Sequence, residues 1–376
     1  MSMTPRTVAA HTVRRRLLTT ATAVGALMLT SGCGLGDDES TAAEGIVLTL
    51  GGRIAVLDSI DTKPKIVAER PEGTEKLDVY RLAAHRQLAN GRIAGVQEGS
   101  LVTISPDSPD KARLLGPAAA WFPAADNEKA WAVSEEPATI ACSGKKLPPS
   151  VQARYTITEH DTSGSPPRTK FSLPCGIEPV AETSQGVLAH RTTEGAAGTG
   201  NGKIALTDIV LLDKKAQSVV QVIAQNATVL SAAGPRVVWK QNGCKAASCV
   251  NVYSIDDKKS KPAPRCEAGD AAGRGAIDGT GRWYATAAGS GEAYQVAIFD
   301  LEANKCQEAG TYPSAAGNEI DLEGALSATW SQSRLLLLDT ESGALTSFNA
   351  ATGKQEQRKG TLDVSKGAQV WGAHHG

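Results

Sequence analysis

The chain has 376 residues, 41% hydrophobic and 21% charged, with a formal net charge of −1 at pH 7. Its 39 basic and 40 acidic residues are evenly balanced and form no long basic run, so the electrostatic footprint of a nucleic-acid binder is missing. The chain is also longer than one compact core usually spans, which asks for several domains or a repeat.

Arg6 and Arg14-Arg15-Arg16 make a basic head with no acidic residue before Asp37, and a mostly apolar run from Leu17 to Met28 follows. Basic head, apolar middle and the small residues of Leu29-Thr30-Ser31-Gly32-Cys33 predict a signal peptide over residues 1–32. As a membrane span, residues 17–32 would reach only ~24 Å of a roughly 30 Å hydrocarbon core. The segment ending at Cys33 resembles the lipobox of bacterial lipoproteins, although Thr30 stands where a larger aliphatic residue is commoner. The resemblance implies cleavage before Cys33 and a diacylglyceryl group on its sulfur, anchoring the protein to the outer side of the cell membrane. Arg14-Arg15-Arg16-Leu17-Leu18 resembles a twin-arginine motif, and a Sec signal also needs a basic head, so both export routes stay open. Without the four signal arginines, 35 basic residues face 40 acidic ones. Residues 33–44 are small, polar and acidic and read as a flexible tether.

From residue 45 to 376 two classes of short apolar run recur. The first comprises Gly45–Leu50, Arg92–Val96, Lys129–Val133, Gly186–His190, Arg236–Lys240, Arg282–Thr286 and Arg334–Leu338, with a mean step of about 48 residues. The second follows each of these and ends in Asp, Ser or Asn: Ile54–Asp58, Leu101–Ser105, Tyr155–Asp161, Ile209–Asp213, Val252–Asp256, Val296–Asp300 and Leu345–Asn349. Two markers with one count and one period predict an all-β fold, a seven-bladed propeller with four short strands per blade. The nearly continuous apolar runs fit central strands covered on both faces, and polar runs such as Lys170–Leu173 and Ser218–Ile223 fit outer strands. Thr361–Ser365 and Gln369–Trp371 repeat the opening pattern and are expected to close the ring on the N-terminal blade. A two-domain β-sandwich is the rival fold.

Asp278-Gly-Thr-Gly-Arg-Trp-Tyr-Ala285 resembles the turn-and-strand element of WD40-like and YVTN propellers, and Leu345–Lys354 that of PQQ-like and YVTN repeats. Such elements imply fold and not function. The Trp that follows Thr-Gly-Lys in quinoprotein docking motifs is replaced by Gln355-Glu-Gln357, so no cofactor is expected.

Setting Cys33 aside for lipid leaves six cysteines, an even set that in an exported chain reads as disulfides with fifteen connectivities. Cys244–Cys249 is the expected hairpin bridge, Cys142–Cys175 the second choice, and Cys266–Cys306 follows by elimination. No metal site is expected, since no pair has the C-x₂-C spacing. Asp58 with Asp61 and Asp107 with Asp110 read as turn formers before calcium ligands, and Asp213, Asp256 and Asp300 as caps of the turn into the outer strand.

Nucleophile motifs are absent, and the stretch Gly195–Lys203 misses the P-loop spacing and reads as a hairpin loop. Of the histidines His85, His160, His190, His374 and His375, the pair His160 and His190 falls in strands and is expected to be buried and hydrogen-bonded. Five tryptophans (131, 239, 283, 330 and 371) are expected in the core, whereas Trp121, in the Pro117–Pro123 segment, is the candidate binding contact on a propeller face. The expectation is a non-catalytic scaffold that holds an extracytoplasmic protein, peptide or envelope glycan near the membrane, with propellers of actinobacterial lipoproteins that accompany envelope sensors as the nearest resemblance. The alternative is a propeller enzyme of hydrolase, lactonase or quinoprotein type with its site at the central channel.

Overall fold

The computed structural model describes residues 45–50, 53–68, 86–97, 99–105, 108–144, 148, 150–196, 203–244, 249–265, 275–289, 293–313, 326–331, 333–364 and 368–374. The expected signal peptide, Cys33, the tether, His85, Asp107, Cys266 and His375 lie outside these residues. No helix among the described residues is long and apolar enough to cross a membrane.

The strands form seven four-stranded antiparallel sheets. The chain enters with β1 (Gly45–Leu50), β2 (Arg53–Leu57) and β3 (Lys65–Ala68). Blade 2 follows with β4 (Arg86–Gln87), β5 (Ile93–Gln97), β6 (Ser100–Ser105) and β7 (Ser108–Pro117). Blade 3 holds β8 (Ala120–Pro123), β9 (Lys129–Pro137), the short helix α1 (Ala138–Ala141), β10 (Ala153–Asp161) and β11 (Thr169–Ser172). Blade 4 is β12 (Ile177–Thr183), β13 (Gly186–Ala196), β14 (Lys203–Leu212) and β15 (Val219–Ala224). Blade 5 is β16 (Ala227–Ala233), β17 (Arg236–Gln241), β18 (Val250–Ser254) and β19 (Lys259–Pro262). Blade 6 is β20 (Ala276–Ile277), β21 (Trp283–Gly289), β22 (Ala293–Asp300) and β23 (Lys305–Pro313). Blade 7 is β24 (Leu326–Ser331), β25 (Arg334–Asp339), β26 (Leu345–Asn349) and β27 (Gln355–Gln357). Finally β28 (Ala368–His374) pairs with β1, from Gly45 opposite His374 to Leu50 opposite Ala368, and completes blade 1 as its innermost strand. Strands are named A to D outward from the axis.

The propeller and its closure by the C-terminal strand are therefore as the repeat predicted, and the two classes of run are the B and C strands. Thr361–Val364 is no strand. It runs irregularly between β27 and β28, and Leu362 is buried while its N–H donates to Gly343 O at 2.9 Å. That segment docks against the last B–C turn, leaving β28 alone to pair.

The core is a set of layers between blades. Along β25, Leu335 and Leu337 pack on Trp283, Val296 and Ile298 of blade 6, while Leu336 and Leu338 pack on Ile46, Leu48 and Leu57 of blade 1. A period of two thus feeds both faces of one strand, and the run of four leucines is continuous because neither face meets water. Each such leucine contributes about 1.5–3 kcal/mol through its burial.

Strand alternation puts all A–B and C–D connections at one end of the ring and all B–C and D–A connections at the other. The first end is built of tight turns held by their own side chains. Asp213 Oδ1 accepts the N–H of Lys215 and Gln217 at 3.0 and 2.9 Å, and Asp300 Oδ1 those of Glu302 and Ala303 at 3.0 and 2.9 Å. Asn349 and Asp161 cap their turns in the same way. Asp256 does not: it is exposed, and the blade 5 turn is held by Ser254, whose hydroxyl donates to Asp257 at 2.7 Å. Asp58 and Asp61 are exposed in a turn closed by Ser59 and Thr62, and Asp61 Oδ1 accepts the Lys359 N–H at 3.4 Å.

Candidate functional site

The inner strands β8, β12, β16, β20 and β24 enclose an axial channel of about 1280 Å³. These strands are short and rich in small residues because seven of them crowd one axis. Hydroxyls dominate the polar wall, among them Thr192, Thr207, Thr228, Ser231, Thr329 and Ser331.

Several charged groups that reach the channel are held by the fold. Glu182 Oε2 accepts the Ala125 N–H at 2.9 Å and the Trp131 Nε1–H at 2.8 Å, clamping blade 4 to blade 3. Asp278 Oδ1 accepts the Trp283 N–H at 2.7 Å, and its other oxygen accepts the Thr280 hydroxyl and N–H. Arg282 pairs with Asp300 at 2.9 Å and lies 4.8 Å over the Trp283 ring. Burial alone would push the Asp300 carboxyl up, yet the Arg282 hydrogen bond and the N–H groups of Ala303 and Glu302 hold it below its ordinary range. His190 is half-buried on the wall, and its Nε2 accepts the Val229 N–H at 3.2 Å, so this nitrogen is committed as an acceptor. His160 is 4% exposed, and burial holds it below the ordinary imidazole value.

The A–B end of the channel is narrow. The turns of blades 5 and 6 meet backbone to backbone: a Cβ on Gly281 (φ 73°) would lie 2.4 Å from Ala233 O, and one on Gly234 (φ 53°) 2.6 Å from Thr280 O. Only glycine permits this approach.

The B–C and D–A end carries the longer connections: 69–85, 138–152, 263–275 and 314–325. Cys142, after α1, is joined to Cys175 in the blade 3 to blade 4 crossover, with Cα atoms 6.1 Å apart. Cys244 and Cys249 are joined within the blade 5 B–C connection. Cys306 is also disulfide-bonded, but its expected partner Cys266 is not among the described residues. At this end too, β13 and β14 pair only with each other from Thr192 and Thr207 outward, forming a two-stranded arm. Its base is clasped by Arg191 on Asp208 at 2.8 Å and by the Asn226 N–H on Asp208 at 3.1 Å. The glycine-rich stretch is the tip connection of this hairpin, with 197–202 outside the described residues.

Trp121 is not an exposed face contact. Its segment is the inner strand β8, where the ring is 8% exposed and packs with Leu88, Ala94, Val96 and Leu101 between blades 2 and 3, with only a margin on the channel wall. Pro117 ends β7 and Pro123 ends β8, so the segment between the two prolines is a short connection and one short strand. Trp131, Trp239 and Trp283 are core residues as expected, and Trp330 is half-buried with Nε1–H on Ala276 O at 2.9 Å. Among the described residues no three His, Cys, Asp or Glu stand together as metal ligands.

No protein-family model and no curated protein matches this chain. Among solved structures it is similar to the acylaminoacyl peptidase of Pyrococcus horikoshii, with 12% identity, a TM-score of 0.52, and coverage of 81% of this chain and 47% of that one. It is also similar to the β-propeller domain of the trilobed protease from Pyrococcus furiosus (12% identity, 82% and 87% covered, TM-score 0.49). A third similarity is to an oligogalacturonate lyase from Vibrio parahaemolyticus (10% identity, 73% and 78% covered, TM-score 0.44). At such identities the likeness to the peptidase bears on the propeller fold alone, and the chain spans 47% of that enzyme's length.

Proposed function

We propose that this protein is a lipid-anchored extracytoplasmic propeller that holds a protein, peptide or envelope glycan, without transforming it, on its B–C and D–A end. One observation carries the reading: the two ends of the ring are built differently. The A–B and C–D end has only short connections, several of them locked by Asp, Asn and Ser, whereas the opposite end, besides short turns such as the Asp339-capped B–C turn of blade 7, carries the longer connections, the two-stranded arm and both disulfides joining described cysteines. Loops braced on a rigid scaffold are where recognition concentrates, because the ordering cost is met before the ligand arrives. The disulfides also fit an oxidising compartment outside the cell.

The test is recovery of the protein with its partners from its own cells, followed by mass spectrometry, with Cys33→Ala as the control. A partner captured by the anchored protein and lost with Cys33→Ala supports a membrane-proximal scaffold. Failure to capture one, together with stoichiometric metal or a small molecule on the purified protein, would overturn the reading in favour of a propeller enzyme.

A further inference from the structure

The opposite end of the ring holds a feature that the scaffold reading leaves unused. Four B strands are opened by an arginine: Arg92 before β5, Arg236 in β17, Arg282 before β21 and Arg334 in β25, the last exposed and opposite Asn349. In blades 5 and 6 that arginine meets an aspartate of its own C–D turn, Arg236 with Asp257 at 4.0 Å and Arg282 with Asp300 at 2.9 Å. Arg92 has no such partner among the described residues. Its Nη2 donates to the Thr103 hydroxyl at 3.1 Å, and its buried Nε has no acceptor.

A second arginine stands beside it instead. Arg113 of β7 is directly opposite Thr103 of β6 in the sheet, so both side chains project from the same face of blade 2. The Thr103 hydroxyl, which receives Arg92, donates in turn to Thr162 O of blade 3 at 3.3 Å. Arg113 lies flat over the next stretch of that turn: its Nη1 is 3.0 Å, and its Cδ 3.4 Å, from where a Cβ on Gly164 would be. Gly164 has φ 94°, and Ser163 and Ser165 flank it with hydroxyls exposed. Two guanidiniums are thus drawn to one side of blade 2, against one turn of blade 3, with no carboxylate among the described residues between them. Burial, followed by the charge of Arg113, pushes the Arg92 guanidinium below its ordinary value.

We propose that Arg92 and Arg113 form a receptor for a tetrahedral oxyanion, a phosphate or sulfate group, on the A–B and C–D end between blades 2 and 3. A like-charge pair with no carboxylate beside it among the described residues costs the fold stability, and an anion between the two converts that cost into charge-assisted hydrogen bonds. One planar fork suffices for a carboxylate. Two forks carried by separate strands on one face of blade 2 suit a group that presents oxygens in several directions.

The site is tested on the full chain with Cys33→Ala by thermal unfolding in sodium phosphate against sodium chloride of equal ionic strength, and by calorimetric titration with phosphate. Phosphate should raise the midpoint, and Arg113→Gln should weaken phosphate binding by at least about tenfold. In chloride Arg113→Gln should melt higher than its parent, since the repulsion is gone, which a purely structural role for Arg113 would not produce. Arg113 is exposed, so this variant keeps the test valid even if Arg92→Gln fails to fold. Equal midpoints for the parent in the two salts, or an Arg113→Gln variant that still responds to phosphate as the parent does, would overturn the proposal. Glycerol phosphate and vesicles of phosphatidylglycerol, with phosphatidylcholine as the control, separate the sources. Arg113-dependent capture by the anionic vesicles assigns a lipid headgroup, and binding of glycerol phosphate alone assigns a soluble phosphate.

Discussion

The side-chain amide of Asn127 stands 3.9 Å from where a methyl on Gly279 would sit, although the two residues belong to the A–B turns of blades 3 and 6. Three positions apart in a ring of seven, these turns face each other across the axis, and both line the channel at its narrow end. Asn127 holds φ 56°, and its carbonyl accepts the Ala89 N–H of blade 2 at 2.7 Å. The backbone there needs a residue that tolerates the left-handed region. Asn127→Gly should therefore leave the unfolding free energy in urea within about 0.5 kcal/mol of the parent's, whereas Asn127→Val should cost ~1–2 kcal/mol. Equal stability of the two variants would show that the turn does not hold this conformation in solution.

Ring closure rests on more than the β1–β28 ladder. Arg358, just after β27, donates from Nη1 to Ile60 O at 3.1 Å and to Thr62 O at 2.7 Å, tying the last connection to the first C–D turn. Hydrogen bonds from a charged donor are each worth about 1.5–3 kcal/mol, and two carbonyls would lose a partner. Arg358 is half-buried, so water replaces part of this on truncation: Arg358→Ala should lower stability by about 2–3 kcal/mol, and removal of residues 368–376 should abolish the cooperative transition altogether. Urea unfolding followed by tryptophan fluorescence reads both. A truncated chain that still unfolds in one sharp transition would mean that six blades and an open seventh suffice.

How much of this was legible in the sequence follows from which surfaces meet water. B and C strands are covered on both faces, so Arg334–Leu338 or Val296–Asp300 reads as an apolar run with a period that counts the blades. The A strands carry no such signal. Ala227–Ala233 and Ala276–Ile277 are rich in small residues because the axis is crowded, and the strand of Trp121 is too short to show the periodicity that would mark its ring as packed between blades 2 and 3. The channel wall and the Arg92–Arg113 pair were invisible for another reason. Each is assembled from strands of different blades, and nothing local marks Arg113 as the neighbour of Gly164.

Acid should act on this fold in two separate windows. His160 has a folded value below the ordinary imidazole value of about 6.5, so the unfolded chain binds its proton first. Its contribution is therefore present above pH ~6.5 and is lost as the pH falls below that toward the folded value. Asp300 is likewise depressed, and its contribution is present above the ordinary carboxylate value of about 3.9 and is lost as the pH falls further through its folded value. Denaturant titrations at pH 7.5, 6.5 and 5.5, with further points on either side of pH 4, should show a decline that over the first three is smaller in His160→Asn, whatever that variant's absolute stability. In Asp300→Asn the decline should be weakened only below about pH 4. A variant with the parent's slope in its own window would remove that residue from the acid response.

The two disulfides should differ in weight and in meaning. Cys142 and Cys175 are 33 residues apart and Cys244 and Cys249 are 5 apart. In the chain-entropy account the longer loop stabilises by roughly 3–4 kcal/mol and the shorter by roughly 2 kcal/mol. Replacing each pair by serines and comparing thermal midpoints should rank them in that order. The longer bridge also fixes α1 and the blade 3 crossover beside the base of the β13–β14 arm, where the Thr192 N–H donates to Gly176 O at 2.9 Å. If recognition uses this end of the ring, Cys142→Ser with Cys175→Ser should lose partner capture at temperatures where the propeller is still folded, because the binding loops lose their bracing before the blades separate. Retained capture by that folded variant would move the recognition surface away from blades 3 and 4.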